Sequence, residues 1–320
     1  MKRHTLKLMS CLLGVYAMGA CITAQAQEAY KFIVSTPAGA YLDIVGRAMA
    51  PELSKELGAP VVLESMAGAN GMIATSAVAR AAADGRTILL INGAISQNEA
   101  TQSKRPYELS QLTPITLVGQ SPIVYAINNS TKARTLNDYL GLVRADPTKY
   151  QYGTWGSGSS GHVLGEILNG LAKTRMTHVP YKGAAPAYAD LVAGHITSSF
   201  GGPGDLGRLL PTGAFTILAI TTEDRMAQYP NIPTFKELGY PEMSINGMTT
   251  FMVPAATPRD TVEKLTRAFV KVGRMPEVNQ KMLELGIVPM WLNSADASAY
   301  INGDAGKWKK AIRDYSIKLD

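Results

Sequence analysis

Thr154-Trp155-Gly156-Ser157-Gly158-Ser159-Ser160-Gly161-His162 follows the short apolar run Tyr150 to Gly153 and precedes Val163, Leu164, Ile167, Leu168 and Leu171 at helical spacing. A short apolar run, a loop of small residues and an amphipathic helix together make a strand-loop-helix unit. The same order opens the chain's first regular stretch. There Lys31 to Ser35 reads as a strand, Ser35-Thr36-Pro37-Ala38-Gly39-Ala40-Tyr41-Leu42-Asp43 as the loop, and Leu42, Val45, Met49 and Leu53 as one helical face. Repetition of this unit predicts an α/β protein with mixed, mostly parallel sheets.

Outward from these two units the pattern continues. Pro60 to Glu64 reads as a strand, Gly71 to Ala82 as a helix, and Thr87 to Ile91 as a strand running into Asn92-Gly93. Ile115 to Val118 and Ile123 to Ile127 are suited to crossing between two halves, with the first crossing near Tyr125. Strands at Met176 to Pro180, His195 to Phe200 and Phe215 to Thr221 complete the second half, and Thr249 to Val253 carries the return. The remainder reads as helical. Asp260 and Glu263 stand at capping-box spacing, and helices over Pro276 to Gly286 and Ser294 to Tyr315 are expected to pack on the first half. The expected division is residues 27–124 plus 250–320 in one lobe and 125–249 in the other, hinged by two crossover strands around a cleft.

Residues 1–26 carry the parts of a cleaved signal peptide: Lys2, Arg3 and Lys7, an apolar run from Leu8 to Ile22, and Ala24-Gln25-Ala26 as the cleavage site. The run is short of the roughly 20 residues that span a bilayer, which disfavours a transmembrane anchor. Cys21 after Met18-Gly19-Ala20 offers a lipid-anchor alternative, weakened by Met18 where Leu is usual. Both cysteines, Cys11 and Cys21, lie in this segment, so the exported chain has no disulfide and no thiol ligand. Its location is then the periplasm. The formal charge of +6 also overstates the exported chain, because residues 1–26 hold three of the 31 Lys+Arg and none of the 25 acids. No basic run interleaved with aromatics appears, so nucleic acid is not an expected partner.

In open α/β sheets ligands bind beyond the carboxyl ends of strands, where loops enter helices. A helix start presents unpaired N–H groups and roughly half a positive charge, enough to hold an anion without a cationic side chain. Neither glycine-rich loop contains Lys or Arg: none occurs between Lys31 and Arg47, nor between Lys149 and Lys173. A carboxylate there must be held by N–H groups, hydroxyls and water. From composition alone, anion binding and a plain tight turn remain equal readings. Tyr41 and Trp155 either stack on a ligand or fill the cleft mouth.

Other chemistries fit less well. Gly156-x-Gly158-x-x-Gly161 matches the dinucleotide fingerprint, but it lies mid-chain and Met176 to Lys182 lack the acid expected about 20 positions on. The serines beside His162 form no Gly-x-Ser-x-Gly elbow. His162, His178 and His195 have no metal-ligand spacing, and packing or surface roles are expected for them. No cofactor and no metal are expected.

At these loops the sequence resembles the substrate-binding receptors of tripartite tricarboxylate transporters, the Bug receptors. The resemblance rests on Phe32-Ile33-Val34, Pro37-Ala38-Gly39 and Asp43; on Pro60 to Glu64, Gly68-Ala69-Asn70-Gly71 and Asp84-Gly85; and on Gly156 to His162, His178 to Gly183, Pro233-Thr234 and Pro254. It implies a two-lobed periplasmic binding protein of the type II, flytrap form. It further implies that Ala38, Gly39 and Ala40 bind one carboxyl end and that Ser157, Gly158, Ser159 and Ser160 offer N–H and hydroxyl groups from the other lobe; Thr36, Tyr41, Asp43, Trp155 and His162 of the same two loops complete the expected ligand-binding set. The implied ligand is a small carboxylate, and the implied partners are membrane permease subunits served by a monomeric receptor.

Two departures bear on the ligand. The family usually has a glycine and then a small hydroxyl residue where Ala40 and Tyr41 stand, which predicts a smaller or more aromatic pocket. An aspartate often follows the phenylalanine matching Phe200, but Gly201 and Gly202 follow here, which argues against an amino-acid ligand. Tyr41 and Trp155 favour a flat or aromatic carboxylate. The rival functions are a sensing role toward a membrane sensor kinase and, further off, an exported hydrolase.

Overall fold

The computed structural model describes residues 28–102, 104–315 and 317; the expected signal segment with Cys11 and Cys21 lies outside the described residues. In chain order the first lobe begins with β1 (Tyr30–Val34), α1 (Tyr41–Leu57), β2 (Val61–Ser65), α2 (Met72–Ala79), β3 (Thr87–Asn92), α3 (Ala94–Thr101) and β4 (Leu112–Ser121). The chain then crosses into β5 (Val124–Asn128), α4 (Leu136–Ala145), β6 (Gln151–Thr154), α5 (Ser160–Ala172), β7 (Thr177–Pro180), α6 (Ala184–Ala193), β8 (Ser198–Gly201), α7 (Pro203–Leu209) and β9 (Phe215–Ile220). It returns through β10 (Gly247–Pro254) to α8 (Arg259–Gly273), α9 (Pro276–Glu284), β11 (Val288–Leu292) and α10 (Ser294–Asp314).

Two mixed sheets result, ordered β11-β4-β10-β3-β1-β2 in lobe 1 and β7-β6-β8-β5-β9 in lobe 2. β1 pairs in parallel with β2 and β3, and β6 in parallel with β7 and β8. Only β10 and β11 in the first sheet, and β5 in the second, run against the rest. The mostly parallel sheets read from the sequence are therefore present.

Each sheet is covered on both faces, which is why its strands are near-continuous apolar runs. Phe32, Ile88, Leu90 and Phe251 point to one side of the first sheet, under α1 and α8, and Ile33, Leu89, Ile91 and Met252 to the other. Tyr125 and Ile127 alternate in the same way with Val124 and Ala126 in the second. Beyond β5, Thr135 and Asp138 cap α4 reciprocally, so the helix begins where a capping box fixes it.

Three expectations need correction. Residues 260–320 are not all helical: Val288–Leu292 forms an edge strand antiparallel to β4, because a five-residue apolar run alone does not distinguish strand from helix. Asp260 is no N-cap, since α8 begins at Arg259 after Pro258 and has no side-chain cap. The last helix does not pack on lobe 1 alone: Ala297 and Ile301 join the lobe 1 core, whereas Trp308, Ala311 and Ile317 lie in the lobe 2 core with Tyr125 and Phe200. Helix α3 also stands where the sequence suggested only the exit of a strand.

Candidate ligand-binding site

The direction of the crossing strands decides where the loops lie. β4 ends at Ser121 and passes through Pro122 and Ile123 straight into β5, so the carboxyl end of β4 faces lobe 2. β1 and β3 run the same way as β4, through β10, and their loops face lobe 2 as well. β5 starts at the crossing and is antiparallel to β8, which is parallel to β6, so the loop after β6 faces lobe 1. The two glycine-rich loops therefore confront each other across the hinge.

In the first loop, Gly39 N–H donates to Asp43 Oδ2 at 2.9 Å, and Arg47 Nε donates to the same oxygen at 2.8 Å. Arg47 thereby holds the Asp43 carboxyl below the usual aspartate range, against the opposing effect of burial. Ala40 N–H is bonded to Pro37 O. Two of the amides expected to face a ligand are thus already engaged in shaping the loop. The helix start supplies others: α1 has no side-chain cap at Ala40, and the first-turn N–H groups of Tyr41, Leu42 and Asp43 have no partner within a helix. Thr36 Oγ1 is buried without a hydrogen-bond partner in the protein.

The second loop is more closed. Gly156 and Gly158 take φ of 134° and 73°, a region that side chains resist, and this turns the chain so that Ser159 caps α5 by accepting from His162 N–H. Gly158 N–H donates to His162 Nδ1 at 3.1 Å, which places that ring's proton on Nε2. His162 stacks on His178 with centroids 4.0 Å apart and planes within 7°, and His178 Nε2 meets Thr154 Oγ1 at 2.7 Å. Burial, and then His162, lowers the His178 pKa to about 4. Among the described residues no protein hydrogen bond engages the hydroxyls of Ser157 or Ser160. Ser160 is buried at the first position of α5, beside the helix's unpaired amides.

The aromatic candidates behave differently from each other. Trp155 is half-buried with its six-membered ring beside Gly161, where an added Cβ would come within 3.1 Å of it. Tyr41 carries its phenol to the crossing strands, where Tyr41 Oη bonds Ser121 Oγ at 2.8 Å and also Thr249 Oγ1. Its hydroxyl is engaged there. Burial, opposed by those bonds and reinforced by Asp205 of lobe 2, raises its pKa.

Gly201 and Gly202 follow Phe200 as read, and the next acid along the chain is Asp205. It lies in the first turn of α7, five residues beyond Phe200, and pairs with Arg208. Pro203 and Gly204 of the same turn abut lobe 1: a Cβ on Gly204 would stand 2.8 Å from the Leu285 carbonyl carbon. Sequence reading also missed Ser121 and Thr249, which lie 80 and 208 positions from Tyr41 and carry no local signal. Arg47 was readable, since it stands one helical turn beyond Asp43.

A groove of about 800 Å³ opens between Gln120, the 222–228 segment and α9. Glu223, Asp224 and Glu284 line it together with Arg225 and the carboxyl end of α9, so acids outnumber cations on its wall. Among the described residues no cluster of three or more His, Cys, Asp or Glu is arranged for a metal, and no helix is long and apolar enough to cross a membrane.

A family model described as tripartite tricarboxylate transporter family receptor matches residues 45–317. The chain belongs to that family. The receptor is 29% identical over 292 residues to protein BugT of Bordetella pertussis, covering 90% of each chain. A Rhodopseudomonas palustris protein solved with adipate superposes with a TM-score of 0.84 at 25% identity, covering 92% of the receptor and 99% of that protein. MatC of R. palustris, solved with bound malate, gives 0.79 at 25% identity, covering 89% and 98%. The receptor thus has the two-lobed fold of periplasmic binding proteins.

Proposed function

We propose that this receptor captures a small carboxylate between the first turns of α1 and α5 and delivers it to membrane permease subunits, acting as a periplasmic monomer. The observation that carries the reading is the confrontation, across the hinge, of two uncapped or serine-capped helix starts with no cation in either loop. Such ends bind anions through amides and dipole together. The malate and adipate held by the two relatives support a dicarboxylate with one end on each lobe. The ligand-binding set is Thr36, Ala38, Tyr41, Ser157 and Ser160, with Gly39, Ala40, Asp43, Gly158, Ser159 and His162 shaping the loops. Lobe limits at 124/125 and 249/250 belong to the same reading, with α10 as a strap across both.

Binding without turnover is the better fit, because His162 Nδ1 already accepts from Gly158 and is not available to take a serine proton. A flat carboxylate is a second reading, favoured by Trp155, whose ring lies beside Gly161 and is half exposed. Calorimetry and thermal shift against malate, adipate and benzoate test both. A true ligand at a hundredfold excess over its dissociation constant stabilises the fold by about 2.7 kcal/mol. Absence of any shift across the three, or a Ser160→Val variant that binds unchanged, overturns the site. Loss of uptake of the stabilising carboxylate in cells lacking the gene tests delivery.

A further inference from the structure

Tyr41 is the first residue of α1, the helix whose start forms one wall of the cleft, yet its hydroxyl is bonded to neither loop. It reaches over the end of β3 to β10 and β4, two and three strands away in the sheet. There Tyr41 Oη, Ser121 Oγ and Thr249 Oγ1 form a triangle, closed by a 3.4 Å contact between Ser121 and Thr249. Each corner belongs to a different element. Ser121 is the last residue of the outgoing strand before the crossing, and Thr249, wholly buried, sits near the start of the returning one. Gly247 of the return pairs with Ser121 itself.

Hydroxyls both donate and accept, so all three corners can be satisfied at once, and loss of one leaves the others short inside a low-dielectric site. The ring also packs against the lobe 1 core, which fixes the phenol's direction. Next along the same link, Thr221 Oγ1 accepts from Ile123 N–H and donates to Asn246 Oδ1, joining the two crossing segments again.

We infer that Tyr41 is a positioning residue that couples the anion-binding start of α1 to the hinge, so that movement of the crossing strands and placement of the helix start occur together. This rests on the capture reading for its ligand, but the coupling itself is a property of the ligand-free protein. A phenylalanine keeps the ring and removes the hydroxyl, and Ser121→Ala removes a second corner with no change in the loop.

The test uses the exported protein labelled at Lys264→Cys in lobe 1 and Arg144→Cys in lobe 2, both exposed and with no competing thiol from residue 27 on. Interlobe distances are measured by pulsed electron spin resonance without ligand and with malate or adipate. Tyr41→Phe and Ser121→Ala are each expected to widen the ligand-free distance distribution and to weaken binding roughly tenfold, the loss of about one buried hydrogen bond. Unchanged distributions in both variants overturn the coupling, even if affinity falls, because Tyr41 then acts only as a wall of the pocket. Widened distributions with no carboxylate binding to any form, the parent included, uphold the coupling and sink the capture reading instead.

Discussion

Ser96 Oγ donates a 2.7 Å hydrogen bond to Asp304 Oδ2, joining α3 of lobe 1 to a helix whose far end is buried in lobe 2. The same oxygen accepts from Trp308 Nε1 at 2.9 Å, one helical turn on, and Lys307 is a nearby counter-charge. Burial raises the Asp304 pKa to about 6 despite these partners.

An acid whose pKa is raised on folding binds more protons native than unfolded, so stability falls as pH rises from about 4 through 6. A shift of this size corresponds to about 2 to 3 kcal/mol against the native state at neutral pH. Asp304→Asn keeps an acceptor for Ser96 and Trp308 and removes the ionisation. Urea unfolding at pH 7 is expected to show a more stable variant, with the difference gone near pH 4; equal stability at both pH values contradicts the buried charge.

His178 acts in the opposite sense. Its pKa is lowered to about 4, so the unfolded chain binds the extra proton and stability declines as pH falls from about 6.5 towards 4. The two slopes oppose each other in the parent protein between pH 4 and 6. His178→Gln is expected to raise the thermal midpoint relative to the parent by an amount that grows as pH falls through this range. A difference between the two proteins that does not change with pH speaks against a neutral His178.

Trp308 is wholly buried in the lobe 2 core although its helix starts in lobe 1. Trp308→Ala is expected to cost roughly 3 to 5 kcal/mol in denaturant unfolding. It also removes a donor from Asp304, so the change is expected to exceed that of Phe235→Ala, a buried ring confined to lobe 2.

Gly204 and Gly286 meet backbone to backbone between the lobes, and a Cβ on Gly286 would stand 2.8 Å from Gly204 N. Gly204→Ala forces that contact apart, at a cost on the order of 1 to 3 kcal/mol if the lobes do not yield. Small-angle scattering is expected to report a larger radius of gyration for the variant, with weaker carboxylate binding. An unchanged radius means that the lobes tolerate the methyl.

Much of the fold was local enough to read. Phe32, Ile33 and Val34, or Leu89 and Leu90, are buried on both faces, and such runs between Gly-rich loops and 3.6-periodic helices specify a parallel α/β sheet wherever they occur. The loop at 154–162 was legible for the same reason: Gly156, Gly158 and Ser159 have conformational and capping preferences that act within a few residues. Val288–Leu292 was not, because its partner is β4, some 170 residues earlier, and pairing, not propensity, makes it a strand. The sequence by itself therefore determined the units, their order and the two glycine-rich loops that lead into helix starts. Tertiary structure alone decided that Gly39 and Ala40 spend their amides on the loop, that Tyr41 ends at Ser121 and Thr249, and that α10 runs from one lobe core to the other. Hydrogen bonds and buried contacts between distant segments depend on where the sheets bring those segments, and no local preference records that distance.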